Sequence, residues 1–167
     1  MAPIEMNVVV VGAGTMGSGI VYVSAASGHN VVVVEQDQKL LDSGMKRVGE
    51  YVQRAISRGH ITKDQATTIH TKLIGTLDFN AACKNANLVV EAVFEDPLVK
   101  EKVFATVDKL SPKEAIIASN TSSISITRLA RATHRAERVL GLHFFNPVPT
   151  MKLVELIKGN QTSESTV

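Results

Sequence analysis

The sequence is poor in several residue types, and each shortage excludes a class of protein. Its single cysteine, Cys83, excludes an internal disulfide and suits a reducing compartment. The formal net charge of +2 is too small to indicate a nucleic-acid partner or a membrane surface. No apolar run approaches the roughly 18 residues that a membrane span needs. The 167 residues, 44% hydrophobic and 20% charged, are instead typical of one globular domain with a proper core.

A glycine-rich segment follows the first apolar run. Four consecutive valines, residues 8–11, predict a strand buried on both faces, and an apolar helix is predicted over residues 16–27. The G-x-G-x-x-G motif between them has the strand-to-helix context of a dinucleotide-binding turn, in which a diphosphate lies on the unpaired N–H groups of the helix. The residues of this turn predicted to bind the cofactor are Gly12, Ala13, Gly14, Thr15, Met16 and Gly17.

An acidic residue stands at the position that such a turn requires. A second strand, residues 30–34, ends in Glu35, which lies 21 residues after Gly14 and is followed by Gln36. We expect Glu35 to hold the hydroxyls of the adenosine ribose, with Gln36 beside the cofactor. A carboxylate there would repel a 2′-phosphate, so NAD is favoured over NADP. The alternative is a glycine-rich turn of another α/β protein, with Glu35 a solvated strand end.

The rest of the chain alternates between helical and strand patterns. Two helices within residues 38–74, the second with a capping box from Thr62 to Gln65 and an end at Gly75, predict a helical hairpin after the second strand. Residues 77–79 predict a short strand or turn. Asp96 and Pro97 predict the start of a later helix. The other predicted strands are residues 88–93, 115–119, 139–144 and 152–157. The fold class is therefore α/β, a Rossmann-type doubly wound, mostly parallel sheet with a helical-hairpin insertion.

Polar side chains collect where the predicted strands end. His143 ends an apolar strand and has the chemistry to take a hydroxyl proton, although a structural histidine is the alternative. Glu155 lies on the next strand, after a proline-bearing turn that would return it beside His143; the alternative is a structural or exposed glutamate. Residues 119–123, Ser-Asn-Thr-Ser-Ser, offer hydroxyls to a substrate oxygen or a ribose, or else cap a helix. No G-x-S-x-G and no Cys/His metal-ligand spacing accompanies them.

Three segments together resemble one enzyme family. They are Val-Val-Gly-Ala-Gly-Thr-Met-Gly-Ser-Gly-Ile, Ala-Ser-Asn-Thr-Ser-Ser and Gly-Leu-His-Phe-Phe-Asn-Pro-Val-Pro-Thr-Met-Lys-Leu-Val-Glu. Residues 7–160 are similar to the NAD-binding domain of L-3-hydroxyacyl-CoA dehydrogenases, which oxidise L-3-hydroxyacyl-CoA to 3-ketoacyl-CoA in fatty-acid β-oxidation. The segment around His143 is specific to this family, whereas the glycine motif is not.

The resemblance implies roles for particular residues, with NAD as the cofactor. It implies that the catalytic residues are His143, Glu155, Ser122 and Asn146. It implies further cofactor-binding positions at Ala92, Glu95, Lys100, Asn120, Ser122 and Asn146. Tyr51 and Arg58 stand where a serine and a lysine that touch CoA are expected, so they are the candidate substrate contacts.

The resemblance also sets expectations beyond this domain. It implies an NAD-binding domain over residues 1–160, and residues 161–167 as the start of a connection to a helical C-terminal domain absent from this chain. It further implies an acyl-CoA substrate, a homodimer in full-length relatives, and a mitochondrial matrix location, with cytoplasm or peroxisome as alternatives; no transit peptide is expected in this chain. Two other functions stay open: dehydrogenation of 3-hydroxybutyryl-CoA or another 3-hydroxy acid, and NAD binding without turnover.

Overall fold

The four consecutive valines lie in the central strand of the sheet. The computed structural model describes residues 4–167, and in it Val8, Val9, Val10 and Val11 are each at most 2% exposed. Val8 and Val10 contribute to the core on one face of the sheet, and Val9 and Val11 to the core on the other. A strand that is buried on both faces accounts for a run without polar alternation.

The sheet has seven strands in the order β3-β2-β1-β4-β5-β6-β7. Every neighbouring pair is parallel except β6 and β7, which are antiparallel. The strands are β1 Asn7–Val11, β2 Asn30–Val34, β3 Leu73–Thr76, β4 Leu88–Glu91, β5 Ile116–Ser119, β6 Val139–Phe144 and β7 Val154–Lys158. The order of β1 to β6 is that of a dinucleotide-binding fold, so the predicted Rossmann-type class is confirmed.

Helices cover both faces of the sheet. They are α1 Thr15–Ala26, α2 Gln38–Ser57, α3 Lys63–Thr71, α4 Phe79–Cys83, α5 Pro97–Leu110 and α6 Ile126–Ala130. Helices α1 to α3 pack on the face that includes Val8, and α4 to α6 on the face that includes Val9. The chain also forms two short 3-10 helices, Ala136–Arg138 and Glu164–Thr166. Within residues 4–167, no helix is both long enough and apolar enough to cross a membrane.

The predicted helix starts are confirmed at two positions. Asp96 caps α5 by accepting hydrogen bonds from the backbone N–H groups of Leu98 and Val99. Thr62 and Gln65 form a reciprocal capping box at the start of α3. Helices α2 and α3 therefore form the predicted hairpin between β2 and β3.

The prediction after that hairpin was wrong. Helix α3 ends at Thr71, not at Gly75, and the strand of this region is β3, Leu73–Thr76, whereas a short strand or turn was expected at residues 77–79. Pairing with β2 explains the difference, because the edge of the sheet satisfies backbone groups that a helix would otherwise satisfy. The last strand is also displaced, to Val154–Lys158 from the predicted 152–157.

The first turn of α1 packs unusually close to the end of β1. A Cβ atom added to Gly17 would lie 1.9 Å from the carbonyl oxygen of Gly12, so a larger residue would push the helix away from the strand. Gly12 itself has φ +101°, a conformation that favours glycine, and approaches the Ala92 carbonyl. These contacts explain the first and third glycines of the motif.

We predict opposite effects for the same substitution at two helical glycines. Gly17→Ala should lower the free energy of unfolding by about 1–3 kcal/mol, because the added methyl group overlaps backbone. Gly49→Ala in α2, where nothing lies within 4 Å of the added Cβ, should raise it by about 0.5–1 kcal/mol. Urea unfolding of both variants measures this difference, and equal shifts in midpoint would contradict it.

Candidate cofactor and active site

A cleft of about 530 Å³ lies where β1, β2 and β4 end. Several residues predicted to bind the cofactor line it together, namely Gly12, Gly14, Thr15, Met16, Glu35, Gln36 and Ala92. The remaining wall is largely apolar and includes Leu40, Phe79, Val93, Phe94, Val99 and Val103. An apolar cleft with a few polar groups at its base is the usual form of a cofactor site.

The backbone at the head of α1 is open to the cleft. Gly14 is the N-cap residue, no side chain caps the helix there, and a Cβ added to Gly14 would meet no atom within 4 Å. The uncapped N–H groups and the positive end of the helix dipole suit a diphosphate, and the missing side chain leaves room for it. The residues present therefore fit a dinucleotide.

Glu35 lines the cleft and also holds residues 12–17, here called the glycine turn. Its Oε1 accepts a hydrogen bond from Ala13 N at 2.7 Å, and its Oε2 accepts one from Gln36 N at 3.2 Å. A carboxylate has further lone pairs, so these bonds leave capacity for ribose hydroxyls. One side chain thus links the position predicted for the ribose to the position predicted for the diphosphate.

Helix α2 supports the same turn from the other side. A Cβ added to Gly44 would lie 2.3 Å from the Ala13 Cβ, so α2 packs directly on the turn. Arg47 donates from Nη2 to Ala13 O at 2.8 Å and from Nη1 to Ser43 Oγ at 3.1 Å. No signal in the sequence indicated the contact of Arg47 with the turn.

A buried ion pair lies at the end of β4. Glu91 is fully buried, and its carboxylate accepts from Val93 N at 2.7 Å, Lys100 Nζ at 2.6 Å and Ser119 Oγ at 2.6 Å. Lys100 is 1% exposed and also pairs with Glu95 at 3.1 Å. The structure therefore places Lys100, which the resemblance assigned to the cofactor site, in a buried cluster beside the cleft. Sequence reasoning missed Glu91, whose only signal is a charge inside an apolar run.

Glu95 anchors residues 119–123, here called the serine loop. Its Oε1 accepts hydrogen bonds from Thr121 Oγ1, from Ser122 N at 3.2 Å and from Ser123 Oγ at 3.3 Å. Partial burial raises the pKa of Glu95, but the hydrogen bond from Thr121 and the charge of Lys100 outweigh it, and the pKa lies below its usual value. Glu95 is therefore a carboxylate at neutral pH.

The serine loop is also tied to β6. Asn120 Oδ1 accepts a hydrogen bond from Phe144 N at 2.9 Å, directly after His143. Ser119 lies level with Gly141, so His143 stands two residues further along, beyond the end of β5. Asn120 thus fastens the loop to β6, and the side chain of Ser122 is left exposed on the loop.

His143 and Glu155 face each other across β6 and β7. They are register partners, and His143 Nδ1 lies 2.8 Å from Glu155 Oε2. The His143 side chain is 19% exposed and its ring centroid is 4.6 Å from that of Phe145. The antiparallel return of the chain after the turn that holds Asn146 brings the carboxylate to the imidazole.

Tyr51 and Arg58 share a second cavity, of about 230 Å³. Its other lining residues are Tyr22, Arg54, Ala55, His60, Pro147, Pro149 and Thr150. The Arg54 guanidinium lies 5.7 Å from the centroid of the Tyr51 ring, which it approaches as a cation over an aromatic face. The cavity therefore joins the helical hairpin to the turn that follows β6, and its charged lining groups are basic.

The strand order, the glycine turn and the acid at the end of β2 define a dinucleotide-binding domain of the Rossmann type. The family model for the NAD-binding domain of 3-hydroxyacyl-CoA dehydrogenase matches residues 7–167. The chain belongs to this family as its NAD-binding domain, which confirms the resemblance found in the sequence.

Similar proteins carry related names. The chain is 44% identical over 166 residues to a 3-hydroxybutyryl-CoA dehydrogenase of Mycobacterium tuberculosis, covering 99% of this chain and 58% of that protein. It is 44% identical over 158 residues to the fatty acid oxidation complex subunit alpha of Idiomarina loihiensis, covering 95% and 22%. The structure of (S)-3-hydroxybutyryl-CoA dehydrogenase PaaH1 from Ralstonia eutropha has a TM-score of 0.92 and 41% identity, covering 97% and 57%.

The chain spans less than two thirds of the length of each of these relatives. All three come from bacteria, so they lend no support to the mitochondrial location that the resemblance implied.

We predict that Glu35 sets both the affinity for NADH and the preference over NADPH. Glu35→Gln removes a charged acceptor from the cleft, so the affinity for NADH should fall roughly tenfold while that for NADPH falls less or rises. Titration of cofactor fluorescence measures both constants. Glu114→Gln, at an exposed position of the chain, is the matched control. An unchanged ratio of the two affinities would remove Glu35 from the ribose site.

Proposed function

We propose that this chain is the cofactor-binding part of an enzyme that oxidises L-3-hydroxyacyl-CoA to 3-ketoacyl-CoA with NAD, in fatty-acid β-oxidation. The observation that carries the proposal is the 2.8 Å pair of His143 and Glu155 at the edge of the sheet where the strands end. The names of the relatives, a fatty acid oxidation subunit and 3-hydroxybutyryl-CoA dehydrogenases, support the same substrate class.

His143 is the proposed base for the substrate hydroxyl. With Nδ1–H donated to Glu155, the neutral imidazole has its lone pair on Nε2, the atom that accepts the hydroxyl proton. Glu155 then stabilises the imidazolium that forms, and it keeps the ring oriented throughout. In the reverse direction, the imidazolium returns the proton to the carbonyl oxygen of the ketone.

NAD, when bound, supplies the acceptor for the hydride that leaves C3 of the substrate. The glycine turn and Glu35 would hold its adenosine diphosphate half. Ala92, Glu95 and the serine loop would lie along the nicotinamide half, because the dinucleotide crosses the sheet where the strand order reverses. Lys100 would act on that half through Glu95, with which it is paired.

Ser122 and Asn146 complete the proposed active site. Both side chains are exposed, one on the serine loop and one on the turn between β6 and β7, and these two segments flank His143. The hydroxyl of Ser122 suits the substrate oxygen, and the amide of Asn146 suits the nicotinamide or the thioester end of the substrate. The homodimer, the helical second domain and the mitochondrial location remain predictions from the resemblance.

We predict that His143→Asn lowers kcat by about 100- to 10,000-fold for reduction of acetoacetyl-CoA, while the Kd for NADH stays within a factor of two or so. Glu155→Gln should give a smaller loss, because the imidazole remains but loses its orienting charge. The assay uses the protein expressed from its natural gene, and His70→Asn on the exposed side of α3 is the control.

The same assay separates the alternative functions. Retained turnover in His143→Asn would contradict the proposed base. If the unmodified protein binds NADH but shows no turnover, the chain is better described as an NAD-binding module. A series of 3-ketoacyl-CoA chain lengths, with free acetoacetate included, distinguishes a long-chain enzyme from one for 3-hydroxybutyryl-CoA or a free hydroxy acid.

We further predict that the cavity lined by Tyr51 and Arg58 contributes to the recognition of CoA. Arg58→Gln should raise KM for acetoacetyl-CoA several-fold, because a cation near the CoA phosphates is lost, and should leave KM for the acetoacetyl ester of N-acetylcysteamine unchanged. Tyr51→Phe should have less effect on either substrate, since it removes no charge. Arg131→Gln, at an exposed position, is the control. Equal changes for both esters would exclude Arg58 from the nucleotide end of the substrate.

A further inference from the structure

Glu91 has hydrogen bonds that only a carboxylate can make. Its Oε1 receives two donors, Val93 N and Lys100 Nζ, and its Oε2 receives Ser119 Oγ. An amide has one oxygen and one NH₂ group, so either orientation of a glutamine would place a donor opposite a donor or leave the Ser119 hydroxyl proton without an acceptor. With the residue fully buried, water cannot repair that mismatch.

The bond to Ser119 continues into the serine loop in a fixed direction. Thr121 N donates to Ser119 Oγ at 3.1 Å, and Ser119 Oγ donates to Glu91. The backbone follows the same path, since Asn120 N donates to Glu91 O at 2.9 Å. Glu91 therefore sets the path of the loop at Thr121, immediately before Ser122.

Lys100 carries the effect of Glu91 to the far side of the loop. It joins Glu91 at 2.6 Å to Glu95 at 3.1 Å, and Glu95 accepts hydrogen bonds from Thr121, Ser122 and Ser123. The loop is thus held from two sides by one buried cluster. The same carboxylate fixes Val93, which lines the cofactor cleft.

We propose that Glu91 is a positioning residue for the nicotinamide half of the cofactor, acting through Ser119 and Lys100 on the serine loop. This inference rests on the proposed function, because the placement of the nicotinamide beside the loop belongs to it. Glu91 touches neither cofactor nor substrate. The adenosine half is held elsewhere, by the glycine turn and Glu35, so the effect of Glu91 is confined to one end of the cleft.

The test compares NADH with ADP, which lacks the second ribose and the nicotinamide. In the unmodified chain, NADH should bind more tightly than ADP, and the Kd for ADP divided by the Kd for NADH measures the contribution of the nicotinamide half. Glu91→Gln should lower this ratio about five- to tenfold through weaker NADH binding, with the Kd for ADP nearly unchanged. Isothermal titration of both ligands gives the ratio.

Two further variants keep the test decisive. Ser119→Ala cuts the hydrogen-bond path but leaves the Glu91–Lys100 pair in place, so it should lower the ratio in the same direction even where Glu91→Gln fails to fold. Glu101→Gln, at the residue that follows Lys100 in α5 and is paired with Arg128, is the matched control and should leave the ratio unchanged.

The outcomes separate the two levels of the proposal. One outcome is that the unmodified chain binds NADH more tightly and that Glu91→Gln and Ser119→Ala leave the ratio of Kd values unchanged. This outcome overturns the role of Glu91 and leaves the proposed function intact. Equal binding of NADH and ADP by the unmodified chain overturns the placement of the nicotinamide half itself, and the inference fails with it. A parallel loss for both ligands in the variants indicates general destabilisation and also overturns the proposal.

Discussion

The burial of one carboxylate, Glu91, constrains three neighbouring elements at the edge of the sheet where the strands end. Removing a charge from water is costly, and the cost is offset here only because every bond that the carboxylate accepts comes from a fixed donor. Those donors belong to three different elements: the turn after β4, helix α5 and the end of β5. The three elements are therefore held in one arrangement, because displacement of any of them leaves a buried charge without its partner.

The glycine turn is likewise held by a carboxylate at the end of a strand. Glu35, at the end of β2, accepts from Ala13 N, while α2 closes on the turn through Gly44 and Arg47. Two strand-end glutamates thus each fix a neighbouring loop, one on either side of β1. The cleft between them is shaped by hydrogen bonds that exist before any ligand binds, which reduces the ordering that a dinucleotide must impose.

Local sequence patterns predicted the fold well where a pattern favours a single backbone conformation. Consecutive valines, glycines in a strand-to-helix turn and proline after an N-cap aspartate each favour one conformation, and the structure has β1, α1 and α5 where they were expected. The signal failed at Gly75, because a glycine that ends a helix and a glycine in an edge strand look alike until the neighbouring strand is known. Boundaries set by tertiary pairing are not encoded locally.

The candidate site shows the same division. His143 and Glu155 were predicted because proton transfer needs those residue types, and the pairing of β6 with β7 brings them together. Glu91, Gly44 and Arg47 were missed, because their importance comes from contacts between elements distant in sequence. Periodicity describes which face of an element is buried; it does not describe which buried polar group meets which donor.

The antiparallel β7 brings Glu155 beside His143 through a short connection. Parallel strands also place residues in register, as Glu91 and Ser119 of β4 and β5 do, but a long crossover must join such strands. The antiparallel return needs only the turn between β6 and β7, so strand pairing places the Glu155 side chain beside His143 within one short segment of the chain. Backbone hydrogen bonds on both sides of the pair then hold the imidazole and carboxylate at a fixed separation. The base proposed at His143 would therefore need little reorganisation on accepting a proton, which is the condition that efficient proton transfer imposes.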